Sequence, residues 1–321
     1  MSVSEARRRV LAVCLYVSEG RKSYALQRIR SAATSRGPAV QLVDFFNDSA
    51  YDRTGITLAS SASSATLRDA ALAVFSEALT HARGEGGTGQ HPKVGIVDHV
   101  SCHHLASSLP SDSSALASSI ASGVASLGVS VHLYGFSTSE SLASIRRSLG
   151  YFGDHSGGNA ALSSRPPDFP HDQAVRRQLI ASRGGIDDIG VCTIGNAPWV
   201  VGLNAMTDTI DAARDGAAAV SERKGGIRGV QAVALDREDG TAEVACNIPA
   251  DADASPEEVS DTIKCKVNND GKGCYLRSYR TNATPEKIVN FAAKADMLSI
   301  SARQTEEADS VNAEQYHRKS A

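Results

Sequence analysis

The segment Gly89-Gln90-His91-Pro92-Lys93-Val94-Gly95 holds an imidazole between glycines and a proline, where a long helical pattern stops and an apolar run begins. Histidine is the side chain whose proton equilibrium lies nearest neutral pH, which suits it to moving protons on and off nitrogen. Pro92 biases His91 toward extended backbone and removes one donor, while Gly89 lets the chain turn sharply or approach a ligand. A His-Pro dipeptide in a turn also has a purely structural reading. Two carboxylates belong to the same pattern: Asp44 closes one apolar strand and Asp98 interrupts another. If those strands lie in one sheet, either carboxylate can orient His91 and stabilise its protonated form; otherwise each caps a strand end or helix.

Two further clusters carry chemistry-bearing residue types without the matching spacing. His99, Cys102, His103 and His104 include metal-ligand types, but paired Cys/His knuckles are missing and no metal is expected. Gly84-Glu85-Gly86-Gly87-Thr88-Gly89 lacks the Gly-Lys-Ser/Thr ending of a phosphate loop and precedes a strand rather than a helix.

The elements that must position these residues follow from hydrophobic periodicity. Residues 10–17 read as a strand buried on both faces, Ser18-Glu19-Gly20 as a turn, and residues 24–33 as a helix. Strands over 40–46 and 53–58, an alanine-rich helix over 65–82 and a strand over 94–100 follow. A helix over 114–127, a strand over 129–134 and a helix over 141–149 complete this half. Gly157-Gly158, Pro166-Pro167, Pro170 and Gly184-Gly185 mark 153–189 as a linker or excursion. The second half repeats the logic, with strands over 199–204, 230–235, 241–246 and 274–280 and helices over 210–220, 255–263 and 285–295. Asn268-Asn269-Asp270-Gly271 reads as a turn between helix and strand. The expectation is an α/β (α+β) chain of two β-α-β-β-α-β subdomains, each a mixed sheet with helices on one side. Their ranges are 1–152 and 190–298, joined by 153–189 and followed by a polar tail over 299–321.

Length and composition bound the partners. A chain of 321 residues is long enough for two compact units. With 33 basic against 36 acidic residues and 5% aromatics, nothing points to nucleic acid or an anionic membrane. Six cysteines without a CxxC pair favour a reduced compartment, and residues 10–17 are too short a run for a membrane span, so a cytoplasmic protein is expected.

Taken in order, several segments resemble the formiminotransferase domain of formiminotransferase-cyclodeaminase (glutamate formimidoyltransferase), in particular its short plant-type relatives lacking the cyclodeaminase half. Val17-Ser18-Glu19-Gly20 resembles the family's Asn-Phe-Ser-Glu-Gly, and Asp52-Arg53-Thr54 its Asn-Arg-Thr. Gly89 to Gly95 is similar to its Gly-Glu-His-Pro-Arg-Met-Gly, with Asp98 matching the Leu-Asp that follows. Val131 to Gly135, Pro167-Asp168-Phe169 and Gly190 to Asn204 extend the match over roughly residues 10 to 295.

The resemblance implies two α/β subdomains with a folate channel between them. It also implies transfer of a formimino (one-carbon) group from N-formiminoglutamate to tetrahydrofolate, a step in histidine catabolism, with no metal. His91 then matches the general acid/base, with Asp44 and Asp98 beside it. Ser18, Glu19, Gly20, Arg53, Gly89, Asp168, Gly190, Gly195 and Asn204 match substrate- and folate-binding positions. The partners implied are the folate, the N-formiminoglutamate-like donor and a second copy in a homodimer. The chain departs from the family where Tyr16 stands for an asparagine, Phe46 for a second acid, and Thr88 and Gln90 for a lysine and a glutamate. The alternative reading is a non-catalytic relative that keeps the fold as a folate-binding or protein-interaction module.

Overall fold

The chain is seen here as a computed structural model that describes residues 9–61, 63–83, 92–151, 165–237 and 239–294. Arg9–Val17 (β1) is apolar at nearly every position because it lies at the centre of a sheet with helices on one side and a second apolar layer on the other. The path continues through Ser23–Thr34 (α1), Gln41–Asp48 (β2), Arg53–Ser60 (β3), Ser64–His81 (α2) and Val97–Ala106 (β4). β2, β3, β1 and β4 pair antiparallel in that order, which makes the expected β-α-β-β-α-β unit.

This sheet then grows by two strands. Pro110–Ser126 (α3) crosses to Val131–Gly135 (β5), and Leu142–Ser148 (α4) and Gln173–Ser182 (α5) lead to Cys192–Asn196 (β6). β6 slots between β4 and β5, parallel to both, giving six strands in the order β2-β3-β1-β4-β6-β5. The strand at 192–196, which a boundary at 190 would give to the second unit, is thus part of the first sheet. All five of its residues are buried, a state that needs paired neighbours on both edges and cover on both faces. The excursion over 153–189 also contains a helix, α5, whose N-cap Asp172 accepts from the amides of Ala174 and Val175.

Side-chain alternation gives the first sheet two different faces. Val13, Leu15 and Val17 of β1 join Ile29, Val74, Phe75, Ile120 and Val124 of α1, α2 and α3 in the main core. On the opposite face Val10, Ala12 and Cys14 meet Trp199 and, from a last helix over 285–294 (α8), Ile288, Val289 and Ala292.

The second unit comprises Val200–Thr207 (β7), Ile210–Val220 (α6), Gln231–Asp236 (β8), Ala242–Pro249 (β9), Pro256–Asp270 (α7) and Tyr275–Arg280 (β10). Its four strands, in the order β10-β7-β9-β8, are antiparallel throughout and pack on α6 and α7. α7 runs through the segment expected to turn and stops at Gly271, which takes the left-handed conformation (φ 69°). Opposite the helices this sheet meets the β2–β3 end of the first: Phe46 stacks on Tyr279, and Arg237 reaches Asp48 at 3.8 Å. Among the described residues no helix is long and apolar enough to cross a membrane.

Candidate active site

Where β1 ends, the chain turns through Ser18, Glu19 and Gly20 and is clamped by neighbours on three sides. The Ser18 amide donates to the carbonyl of Ile96 (2.7 Å) and its hydroxyl to that of Gly95 (2.9 Å). Glu19 is buried; its carboxylate accepts from the amides of Arg21 and Lys22, and its carbonyl from the Thr54 hydroxyl at 2.6 Å. The Gly20 amide donates to Asp52 Oδ1 (2.8 Å), so this corner is tied to the tip of the β2–β3 hairpin.

Behind it two backbones cross at the closest approach a main chain allows. Gly95 bridges Gly190, and a Cβ on either would run into the carbonyl oxygen of Val191 or Val94 respectively; Gly190 also has φ +71°. The chain reaches Gly95 directly from Pro92-Lys93. Lys93 is half-buried, and burial lowers its proton affinity against the pull of Asp52, Asp98, Asp188 and Glu19.

Asp98 is the extra residue of a β-bulge: Tyr16 of β1 pairs with His99, but Val17 pairs with Val97. The bulge turns a fully buried carboxylate toward Arg53, which donates to both its oxygens at 3.1 and 3.0 Å. Arg53 also lies over the Tyr16 ring, 5.3 Å from its centroid. Tyr16 in turn stacks on His99 (5.2 Å, 8° between planes), and His99 Nε2 lies 2.8 Å from the Tyr134 hydroxyl.

Burial, aided by the charges of Arg146 and Arg53, holds the His99 imidazole well below its ordinary proton affinity. Burial raises both phenols. Further along the same face burial takes His103 down to about 4. A neutral His103 has one consistent tautomer: Nδ1–H donates to the Ala197 carbonyl (3.0 Å), so Nε2 accepts from the Ser101 hydroxyl (2.9 Å). The face therefore offers neutral imidazoles, buried phenols and one compensated guanidinium, with a lysine of lowered proton affinity at its end. Such a set can bind a polar aromatic ligand and move protons at nitrogen.

The structure brings Ser18, Glu19, Gly20, Arg53, Asp98 and Gly190 together at this end of the sheet. His91 and Gly89 lie outside the described residues; the chain is joined to them at Pro92. Gly195 belongs to the same face: it leaves room for the Tyr134 ring lying against it. Three sites fall elsewhere. Asp44 is on β2, three strands from Asp98, and accepts from the Phe45 amide. Asp168 accepts from the Leu133 amide at the far edge. Asn204 is in the second sheet, where its Nδ2 donates to Glu243 at 2.9 Å.

That glutamate, with no exposed surface, also accepts from Arg237 (2.8 Å) and the Tyr279 hydroxyl (2.5 Å). Neither this network nor the Tyr16–His99–Tyr134 row is named by the sequence reading. The signal for the row was present as polar residues at alternate positions, His99-x-Ser101-x-His103 and His132-x-Tyr134, in otherwise apolar strands. The same alternation separates His99 and His103 from Cys102 and His104, which face the helices. Among the described residues no three His, Cys, Asp or Glu come close enough to hold a metal.

Fold and site together define a two-sheet α/β protein with a buried polar face beside the entry to β4. Residues 10–181 match the model of the formiminotransferase domain, N-terminal subdomain. Over 292 residues the chain is 34% identical to a formiminotransferase cyclodeaminase-like protein of Arabidopsis thaliana, covering 88% of this chain and 96% of that one. The chain belongs to the formiminotransferase family, a folate-using transferase family. Solved structures overlap it loosely. A microcompartments protein from Desulfitobacterium hafniense is 12% identical over 85% of this chain and 93% of that one, at a TM-score of 0.20. An inactive peptidase M16 domain from Pseudomonas fluorescens is 14% identical over 93% and 86%, also at 0.20. At such scores the overlaps carry no argument.

Proposed function

We propose that this protein binds tetrahydrofolate and transfers a formimino group to it from N-formiminoglutamate or a closely similar donor. The observation that carries the reading is convergence: Ser18–Gly20, the Arg53–Asp98 pair and the Gly95–Gly190 crossing meet where the chain arrives from His91-Pro92-Lys93. In the transfer, the folate amine adds to the amidine carbon, a carbon–nitrogen bond forms, and the bond to the glutamate nitrogen then breaks. The proton released by the attacking nitrogen must reach the departing one, and His91 carries it. Each Asp98 oxygen takes one Arg53 N–H and keeps acceptor capacity, so the carboxylate can fix an imidazolium while holding the guanidinium across Tyr16.

Calorimetric titration with tetrahydrofolate and its polyglutamates, on the wild type and His91→Ala, tests the reading together with a transfer assay. Binding in both proteins with transfer abolished in the variant is expected. Absence of heat at high micromolar folate with wild type refutes it. One observation favours the non-catalytic alternative: Tyr16 and Phe46 put aromatic rings where the family pattern has an asparagine and an acid. Both rings are engaged, on His99 and Tyr279. Folate binding without transfer in the wild type would select that alternative.

A further inference from the structure

Two guanidiniums reach the polar face, and only one is compensated. Arg53 is answered by Asp98 through two hydrogen bonds. Arg146, on the last turn of α4, has no hydrogen bond or ion pair from its side chain to any described residue, and its Nε is buried without an acceptor. Its guanidinium carbon lies over the Tyr151 ring, 4.4 Å from the centroid. α4 is fixed in turn: Ile145 and Leu149 pack with Val94, Tyr134 and Tyr151, so the helix rests on the segment that leads into β4. Tyr134, the end of the aromatic row, packs in the same cluster as the adjacent Ile145, and the Arg146 charge disfavours the protonated His99 and favours the ionised Tyr16 and Tyr134.

The bland account of Arg146 is its position at a helix C-terminus, where any cation is favourable. That account serves exposed Arg147 equally well and leaves the buried Nε of Arg146 unanswered. A half-buried guanidinium without an anion is costly, and a stacked, rigid fork is suited to a bidentate carboxylate. The reaction proposed above supplies such groups, since donor and folate both end in a glutamate.

We propose that Arg146 is a substrate-binding residue that receives a glutamyl carboxylate at this face; the inference rests on the formimino-transfer reading for the ligand's identity. Glutarate serves as the probe, titrated into wild type, Arg146→Gln, Arg146→Lys and Arg147→Gln, with circular dichroism and urea midpoints confirming folding. Binding about tenfold or more weaker in Arg146→Gln, partly restored in Arg146→Lys and unchanged in Arg147→Gln, is expected. Equal binding by all four proteins, or none by the wild type at tens of millimolar, overturns it.

Two arms then separate the sources. A raised KM for formiminoglutamate with little change in kcat assigns the carboxylate to the donor. Lost preference for tetrahydrofolate over tetrahydropteroate, which lacks the glutamate, assigns it to the folate. If the wild type neither binds folate nor transfers, the transfer reading fails, while the glutarate comparison still decides Arg146.

Discussion

β1 to β4 and β7 to β10 follow the same β-α-β-β-α-β path and reach the same strand order, fourth-first-third-second. Their helix-covered faces are alike, apolar and rich in valine, isoleucine and alanine. Their other faces differ. The second sheet presents one buried carboxylate, Glu243, which accepts from Arg237, Tyr279 and Asn204, and the first presents a row of neutral rings with one guanidinium paired to a carboxylate and one, Arg146, that among the described residues is not. A carboxylate held by three donors across two strands can keep an interface in register, whereas a guanidinium with no anion can meet a ligand. One topology thus serves as clamp in one copy and as site in the other.

The sharpest test of that contrast lies in two glycines with similar torsions. At Gly190 (φ +71°) a Cβ would collide with the Val94 carbonyl, while at Gly240 (φ +82°) it would meet nothing within 4 Å. Gly190→Ala should abolish folding of the first unit, a loss above about 4 kcal/mol, and Gly240→Ala should cost about 1 kcal/mol of torsional strain. Urea titration followed by circular dichroism reads both, and similar small losses would mean the crossing at Gly95 and Gly190 is slack.

Next in size are two ion pairs built on a fully buried carboxylate, one in each sheet. Asp98→Asn and Glu243→Gln each leave an arginine half-answered in a buried setting, at a cost of about 3–5 kcal/mol. The pairs should part company on repair. Replacing Arg53 and Asp98 together by Met and Leu should recover most of the stability and none of the transfer activity. A doubly substituted protein that still transfers would remove the Arg53–Asp98 pair from the site.

Acidification should draw on titrating histidines of the first unit alone. His103 titrates near 4 in the folded chain and near 6.5 when unfolded, and His99, His132 and His171 are lowered too. Below pH 6.5 the unfolded chain takes up protons that the folded one refuses, so this stability is complete above 6.5 and falls until about pH 4. His103 alone accounts for about 3 kcal/mol across that window. Residues 197–294 contain no histidine, so the loss belongs to the first unit. Trp199, the one tryptophan, touches the His103 ring edge-on at 4.7 Å and reports the change by fluorescence. His103→Gln should flatten the profile; an unchanged slope would mean His103 is not the group responsible.

How much of this was legible beforehand depends on the range of the contacts involved. The strands and helices of both units could be read because each buries a periodic face, and the 210–220 helix falls on the residues expected. The Ser18–Gly20 corner, Arg53 and Asp98 were found from their order along the chain, and they do meet in space. β6 is not among the strands the sequence shows, because insertion of a parallel strand between β4 and β5 is a pairing across many residues that leaves no local trace. α5 was hidden by the prolines before it and the glycines after it. The uncompensated state of Arg146 could not be read at all, since a missing partner has no sequence pattern.

The smallest expected effects bear on whether clamp and site unfold together. Ser63 caps α2 in the first unit, and Ser255 caps α7 in the second within a capping box completed by Glu258. Ser63→Ala and Ser255→Ala should each cost about 1 kcal/mol. The units share an apolar layer in which Val10, Ala12 and Leu105 of the first sheet pack against Trp199 and α8. A layer of that kind makes separate unfolding unfavourable, because opening either unit exposes the other's half of it. Both substitutions should therefore shift one common urea transition by the same amount, seen alike by Trp199 fluorescence and by circular dichroism. If Ser255→Ala moves only the circular dichroism transition and leaves the Trp199 signal in place, the second unit opens on its own and the clamp does not hold the site.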